Sequence, residues 1–108
     1  MNTRRRPSPG TTSGRPLMVL LDLLGQRWAL RVLWELRSGA LTFRALRTRC
    51  DDVSPTVLTR RLGELRDAGL VDHREGRGYA LTADGESLGA QLLELAGWAE
   101  RWAGPPDA

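Results

Sequence analysis

The chain has 108 residues, 41% of them hydrophobic, which suits one domain around one modest core. All sixteen basic residues are arginine, the formal net charge is +3, and one cysteine excludes an internal disulfide and suits a reducing compartment. The longest apolar run, Leu17 to Leu21, is far short of a membrane span, so no membrane partner and a cytoplasmic location are expected.

Residues 1–15 hold four arginines and no acid among Pro, Gly, Ser and Thr, and are expected to be a disordered basic tail. Residues 16–104 form the expected domain, and 105–108 a short C-terminal tail. From Leu17 to Leu24 only Asp22 is polar, which predicts a short helix, apolar nearly all round and closed by Gly25. A second helix is expected over Arg27 to Arg37, with Ala29, Val32, Leu33 and Leu36 on one face and Ser38-Gly39 ending it.

Thr42 is a predicted N-cap, with Leu41 and Leu46 spaced as a hydrophobic staple, for a third helix from Phe43 to Arg49. After "CDDV", Ser54 caps a fourth helix that begins with Pro55, runs to Ala68 and stops at Gly69. The period then changes: Val71, His73, Tyr79 and Leu81 fit two short strands around "REGRG". Thr82 caps a last helix, Ala83 to Ala103, roughly 31 Å long at 1.5 Å per residue. The expected fold is therefore mainly α with a small β-hairpin.

The fourth helix raises the functional question. On a 100° wheel Leu58, Leu62 and Leu65 mark the buried side. Thr56, Arg60 and Gly63 lie opposite, with Thr59 and Arg66 on one flank and Arg61 and Glu64 on the other. A basic helix preceded at a four-residue turn by another short helix has the spacing of a helix-turn-helix, whose second helix enters the DNA major groove. Arg60 has the chemistry for a bidentate guanine contact, and Thr56 and Thr59 for a thymine methyl or a phosphate. The bland alternative is an i, i+4 pair of Arg60 with Glu64 on a solvated helix. The helix start at Ser54 and Pro55 offers a phosphate site through its amides, Pro55 itself having no N–H to give. Arg44, Arg47 and Arg49 precede it, and Arg74 and Arg77 sit at the hairpin tip where a wing would touch DNA backbone or minor groove.

The stretch from Leu20 to Val71 resembles the HxlR-type branch of winged helix-turn-helix transcriptional regulators, relatives of the MarR group. The resemblance rests on Gly25-Gln26-Arg27-Trp28, on Thr42-Phe43-Arg44-Ala45-Leu46, on "SPTVLTRRLGELRDAGLV" from Ser54 to Val71, and on "YALTADGESL" from Tyr79 to Leu88. It implies a homodimer on operator DNA, joined by the first and last helices. Leu17, Leu20, Leu21 and Leu24 would contribute from the first helix. From the last would come Leu88, Leu92, Leu95, Trp98, Ala99 and Trp102, most of which already repeat at spacings of 4 and 3 along a helix too long for one small domain. Two departures stand out: Arg15-Pro16 occupies the place where many oxidant-sensing relatives carry Cys-Pro, and the wing is shorter than the family's usual proline-containing loop.

Among the remaining residues, Cys50 lies beside Asp51 and Asp52, whose charge would raise its thiol pKa. His73 has no second histidine or cysteine pair near it, so no metal site is expected. No nucleophile-base arrangement or phosphate-cradling glycine loop is present, so neither an enzyme nor a cofactor is expected. The four tryptophans read first as core or dimer packing, and alternatively as walls of a pocket for a small-molecule inducer. The sequence thus predicts a homodimeric, sequence-specific transcriptional regulator on a two-fold related double-stranded site. The alternative is a winged-helix interaction module docking an acidic protein partner.

Overall fold

The computed structural model describes residues 14–105; of the tails expected over 1–15 and 105–108, residues 1–13 and 106–108 lie outside that range. In chain order it consists of α1 (Arg15–Leu24), α2 (Ala29–Glu35), α3 (Phe43–Arg49), α4 (Pro55–Asp67), β1 (Val71–Arg74), β2 (Gly78–Leu81) and α5 (Ala83–Ala103). Helix α1 starts two residues earlier than expected, with Gly14 at its N-cap and Pro16 in its first turn, so Arg15 belongs to the helix and not to a tail.

The second helix is shorter than its periodicity suggests. Trp28 adopts the left-handed conformation (φ 78°), so helical geometry begins only at Ala29, and the last residues tighten into a 3-10 turn, Leu36–Ser38. The three expected side-chain caps are made. The Thr42 hydroxyl accepts the Ala45 amide (3.1 Å), Ser54 accepts that of Val57 (3.2 Å) and Thr82 that of Gly85 (3.0 Å). Each satisfies a donor that a helix start otherwise leaves open.

The core gathers Leu24 of α1, Val32 and Leu33 of α2, Leu36 of the 3-10 turn, Leu46 of α3, Leu58, Leu62 and Leu65 of α4, and Val71 and Leu81 of the hairpin. Strands β1 and β2 pair antiparallel with Val71 opposite Leu81 and His73 opposite Tyr79. The hairpin root is tied to the start of the helix-turn-helix. The Leu41 amide donates to the Tyr79 carbonyl (2.9 Å) and the Tyr79 amide to that of Leu41 (2.8 Å). Gly78 permits this approach: at φ 91° it faces the Leu41 carbonyl where any Cβ would collide.

Helix α5 is fastened at its start in the same manner. The Thr82 hydroxyl donates to the Gly69 carbonyl (2.6 Å) while accepting from Gly85, and Gly85 lies against the Leu70 carbonyl with no room for a Cβ. From there α5 runs across α2, leaving its C-terminal half exposed. No helix among the described residues is long and apolar enough to cross a membrane.

Candidate nucleic-acid interface

The α3–α4 turn sets the pose of the fourth helix. Asp51 and Asp52 are both left-handed (φ 57° and 56°), a conformation aspartate tolerates better than most residues, and they turn the chain within Cys50 to Ser54. Arg47 braces that turn. Its Nε donates to the Val53 carbonyl (2.6 Å) and an Nη to that of Asp52 (3.4 Å), so two of its five donors are taken by its own loop. Arg49 is likewise engaged, with Glu35 (3.5 Å). Arg31 completes the network, bonding Glu35 (2.9 Å), Asp51 (3.4 Å) and the Arg49 carbonyl (2.7 Å).

Beneath that network Cys50 is fully buried. Burial pushes its thiol above the ordinary range; Arg31 opposes the shift, and Glu35 and Asp51 add to it. The direction is the one expected, but its main cause is desolvation rather than the neighbouring aspartates, and Asp52 takes no part.

Helix α4 turns Leu58, Leu62 and Leu65 inward and leaves Ser54, Pro55, Thr56, Thr59 and Arg60 exposed. Arg61 is the correction. Only 9% exposed, it donates through Nε to the Arg27 carbonyl (2.7 Å) and through an Nη to Glu64 (2.7 Å). These bonds fix it to the α1–α2 turn, so it has no reach toward a ligand on the outer face. Because Glu64 pairs with Arg61, the alternative Arg60–Glu64 pair does not form. Arg60 therefore presents a guanidinium with no ion pair among the described residues.

Arg44 is exposed on α3, and Arg74 and Arg77 are exposed at the hairpin. The tip is a tight turn in which the Arg77 amide donates to the Arg74 carbonyl (2.9 Å), so both side chains leave one small loop. Tyr79 sits at its root, with its ring 4.6 Å from His73 and 6.5 Å from Phe43. The exposed polar side chains thus include Thr56, Thr59 and Arg60 on α4, Arg44 on α3 and Arg74 and Arg77 at the hairpin, while α4 has no acid in its first turn.

The expected dimer residues divide. Leu24 is buried in the chain's own core, and Leu20, Leu88 and Leu92 pack against that core. These four are largely committed within one protomer. Leu17 and Leu21 on α1, and Leu95, Trp98, Ala99 and Trp102 on α5, remain exposed, Trp102 by 75%. Trp98 and Trp102 stack on each other (centroids 6.0 Å apart, planes 13° apart). A groove beside Leu95 and Trp98 is open to solvent rather than enclosed.

Sequence reasoning missed the roles of Arg27, Trp28, Arg31 and Glu35. The Arg27 carbonyl and the left-handed Trp28 leave no periodicity, whereas Arg31 and Glu35 pair at i, i+4, a spacing that the sequence carries.

A helix-turn-helix followed by a hairpin wing and a long terminal helix defines the winged helix-turn-helix class. The chain is similar to the uncharacterized HTH-type transcriptional regulator YvaP of Bacillus subtilis (strain 168), 30% identical over 91 residues that cover 79% of this chain and 84% of the relative. It is similar in structure to quinone-bound YodB from B. subtilis (TM-score 0.72, 29% identity, covering 79% of this chain and 96% of the other). A MarR-family regulator from Enterococcus faecalis V583 also matches (TM-score 0.74, 27% identity, covering 89% and 93%). The model of the HxlR-like helix-turn-helix family matches residues 23–107, and the chain belongs to that family of transcriptional regulators.

Proposed function

We infer that the protein binds double-stranded operator DNA as a homodimer and regulates transcription from a two-fold related site. Helix α4 enters the major groove, Arg60 meets a guanine edge, and Thr56 and Thr59 contact a thymine methyl or a phosphate. Arg44, Arg74 and Arg77 neutralise backbone charge. The phosphate capacity of the helix start is narrower than a generic N-terminus. Pro55 has no N–H and Ser54 takes that of Val57, which leaves the Thr56 amide.

The observation that carries this reading is the exposed Arg60, without an ion pair among the described residues, on a helix whose leucines are wholly inward and whose Glu64 is held elsewhere. A solvated surface helix would gain from pairing Arg60 with Glu64; this one leaves the cation free. Fluorescence anisotropy on a selected duplex and on random duplex tests it. Arg60→Ala is expected to cost about 1–3 kcal/mol on the selected site and little on random DNA. Equal losses on both would remove Arg60 from base readout, and an absence of salt-sensitive duplex binding by the wild type would overturn the function.

A further inference from the structure

Glu64 is the acid best placed to spoil the proposed interface. It stands one helical turn from Arg60 on the same side of α4, the i, i+4 geometry in which a carboxylate and a guanidinium pair readily. Paired so, it would neutralise the positive charge that Arg60 offers and bring a carboxylate toward phosphates. In the structure the Glu64 carboxylate instead lies against Arg61, whose side chain is 10% exposed while that of Glu64 is 37% exposed. Arg61 is itself immobilised, because its Nε donates to the Arg27 carbonyl (2.7 Å) from the same rigid plane whose Nη donates to Glu64 (2.7 Å). Lysine has three donors but all on one nitrogen, and lacks the rigid planar fork that spaces these two bonds.

We propose that Arg61 is a positioning residue for DNA recognition: anchored on the Arg27 carbonyl, it draws Glu64 away from Arg60 and so keeps the Arg60 guanidinium free to bind. The inference rests on the function proposed above. It differs from a purely architectural role for Arg61, in which the loss of Arg61 would weaken binding only by loosening the helix, and nothing done to Glu64 would repair it.

A double-mutant cycle separates the two. Arg61→Met keeps the buried apolar stem and removes both hydrogen bonds. It is expected to weaken selected-duplex binding about ten-fold, within the roughly 5- to 150-fold range of a good base contact, and to flatten the salt slope by about one unit as Arg60 is neutralised. Glu64→Gln alone is expected to change affinity less than about two-fold, because its charge is already taken up by Arg61. Added to Arg61→Met, Glu64→Gln is expected to recover about five-fold or more and to restore the slope, a coupling that additive sites do not show.

Equal effects of Glu64→Gln in the two backgrounds would overturn the proposal while leaving wild-type DNA binding, and hence the function, intact. A wild type that does not bind duplex in a salt-sensitive manner would overturn both. If circular dichroism shows that Arg61→Met does not fold, Glu64→Gln in the wild-type background decides: unchanged affinity and slope support the proposal. A gain well beyond two-fold with a steeper slope shows Glu64 already opposing phosphate and sinks it.

Discussion

Arg60 and Arg61 are adjacent in the chain and have opposite fates, because 100° of helix rotation separates outer surface from a buried flank. The wheel placed Arg61 on a flank, where burial depends on what arrives from elsewhere; the Arg27 carbonyl, delivered by the left-handed Trp28 turn, decides it. Cys50 shows the same dependence on surroundings. Its thiol is enclosed, and burial raises its pKa above the unfolded value. Below about pH 8.5 both states keep the proton and the contribution to stability is whole; above it the unfolded state ionises first, so stability falls as pH rises toward the folded pKa. Between pH 8 and pH 10 the melting temperature of the wild type is expected to drop more steeply than that of Cys50→Ala. A thiol-reactive chromogen at pH 8 is expected to label Cys50 only after denaturation. Rapid labelling of the native protein would show the thiol to be accessible.

At the scale of elements, what the sequence revealed was what local chemistry dictates. The bounds of α3 and α5, the three hydroxyl caps and the presence of a two-stranded hairpin follow from side chains acting on their own neighbours, and all were legible. Tertiary contacts were not. The shortened α2 follows from Trp28, and the engagement of Arg49 and Arg61 follows from a carboxylate and a carbonyl distant in sequence, while Arg47 is held by the carbonyls of its own turn. The hairpin offers a test at this scale, since Arg74 and Arg77 leave one tight turn whose root is locked to Leu41. If the wing meets backbone phosphates, Arg74→Gln and Arg77→Gln should each reduce the slope of log affinity against log salt by about 0.9 and weaken selected and random duplexes alike. A loss confined to one sequence would instead make the wing a base reader, while no loss from either variant would place it off the DNA.

For the whole molecule, the shape of the chain poses the last problem. Its radius of gyration, 15.1 Å, exceeds the roughly 13 Å of a compact domain of this length, because α5 extends beyond the core. Leu17, Met18 and Leu21 on α1 and Leu93, Leu95, Trp98 and Trp102 on α5 are each about half exposed or more, and large apolar side chains gathered on two helices mark a surface meant for covering. In the proposed homodimer a second copy would cover this surface, and a two-fold DNA site would require its two α4 helices to stand about 34 Å apart. Leu95→Glu and Trp102→Glu alter side chains outside the core, so helical content and monomer stability should hold nearly constant. Each is expected to weaken dimerisation by about 2 kcal/mol or more, as loss of an aromatic or apolar anchor at an interface does. Sedimentation equilibrium should then show the wild type as a dimer at micromolar concentration and the double variant as a monomer. Binding of the double variant to the full site should fall to the affinity of a half-site, while a wild type that sediments as a monomer would end the two-fold proposal.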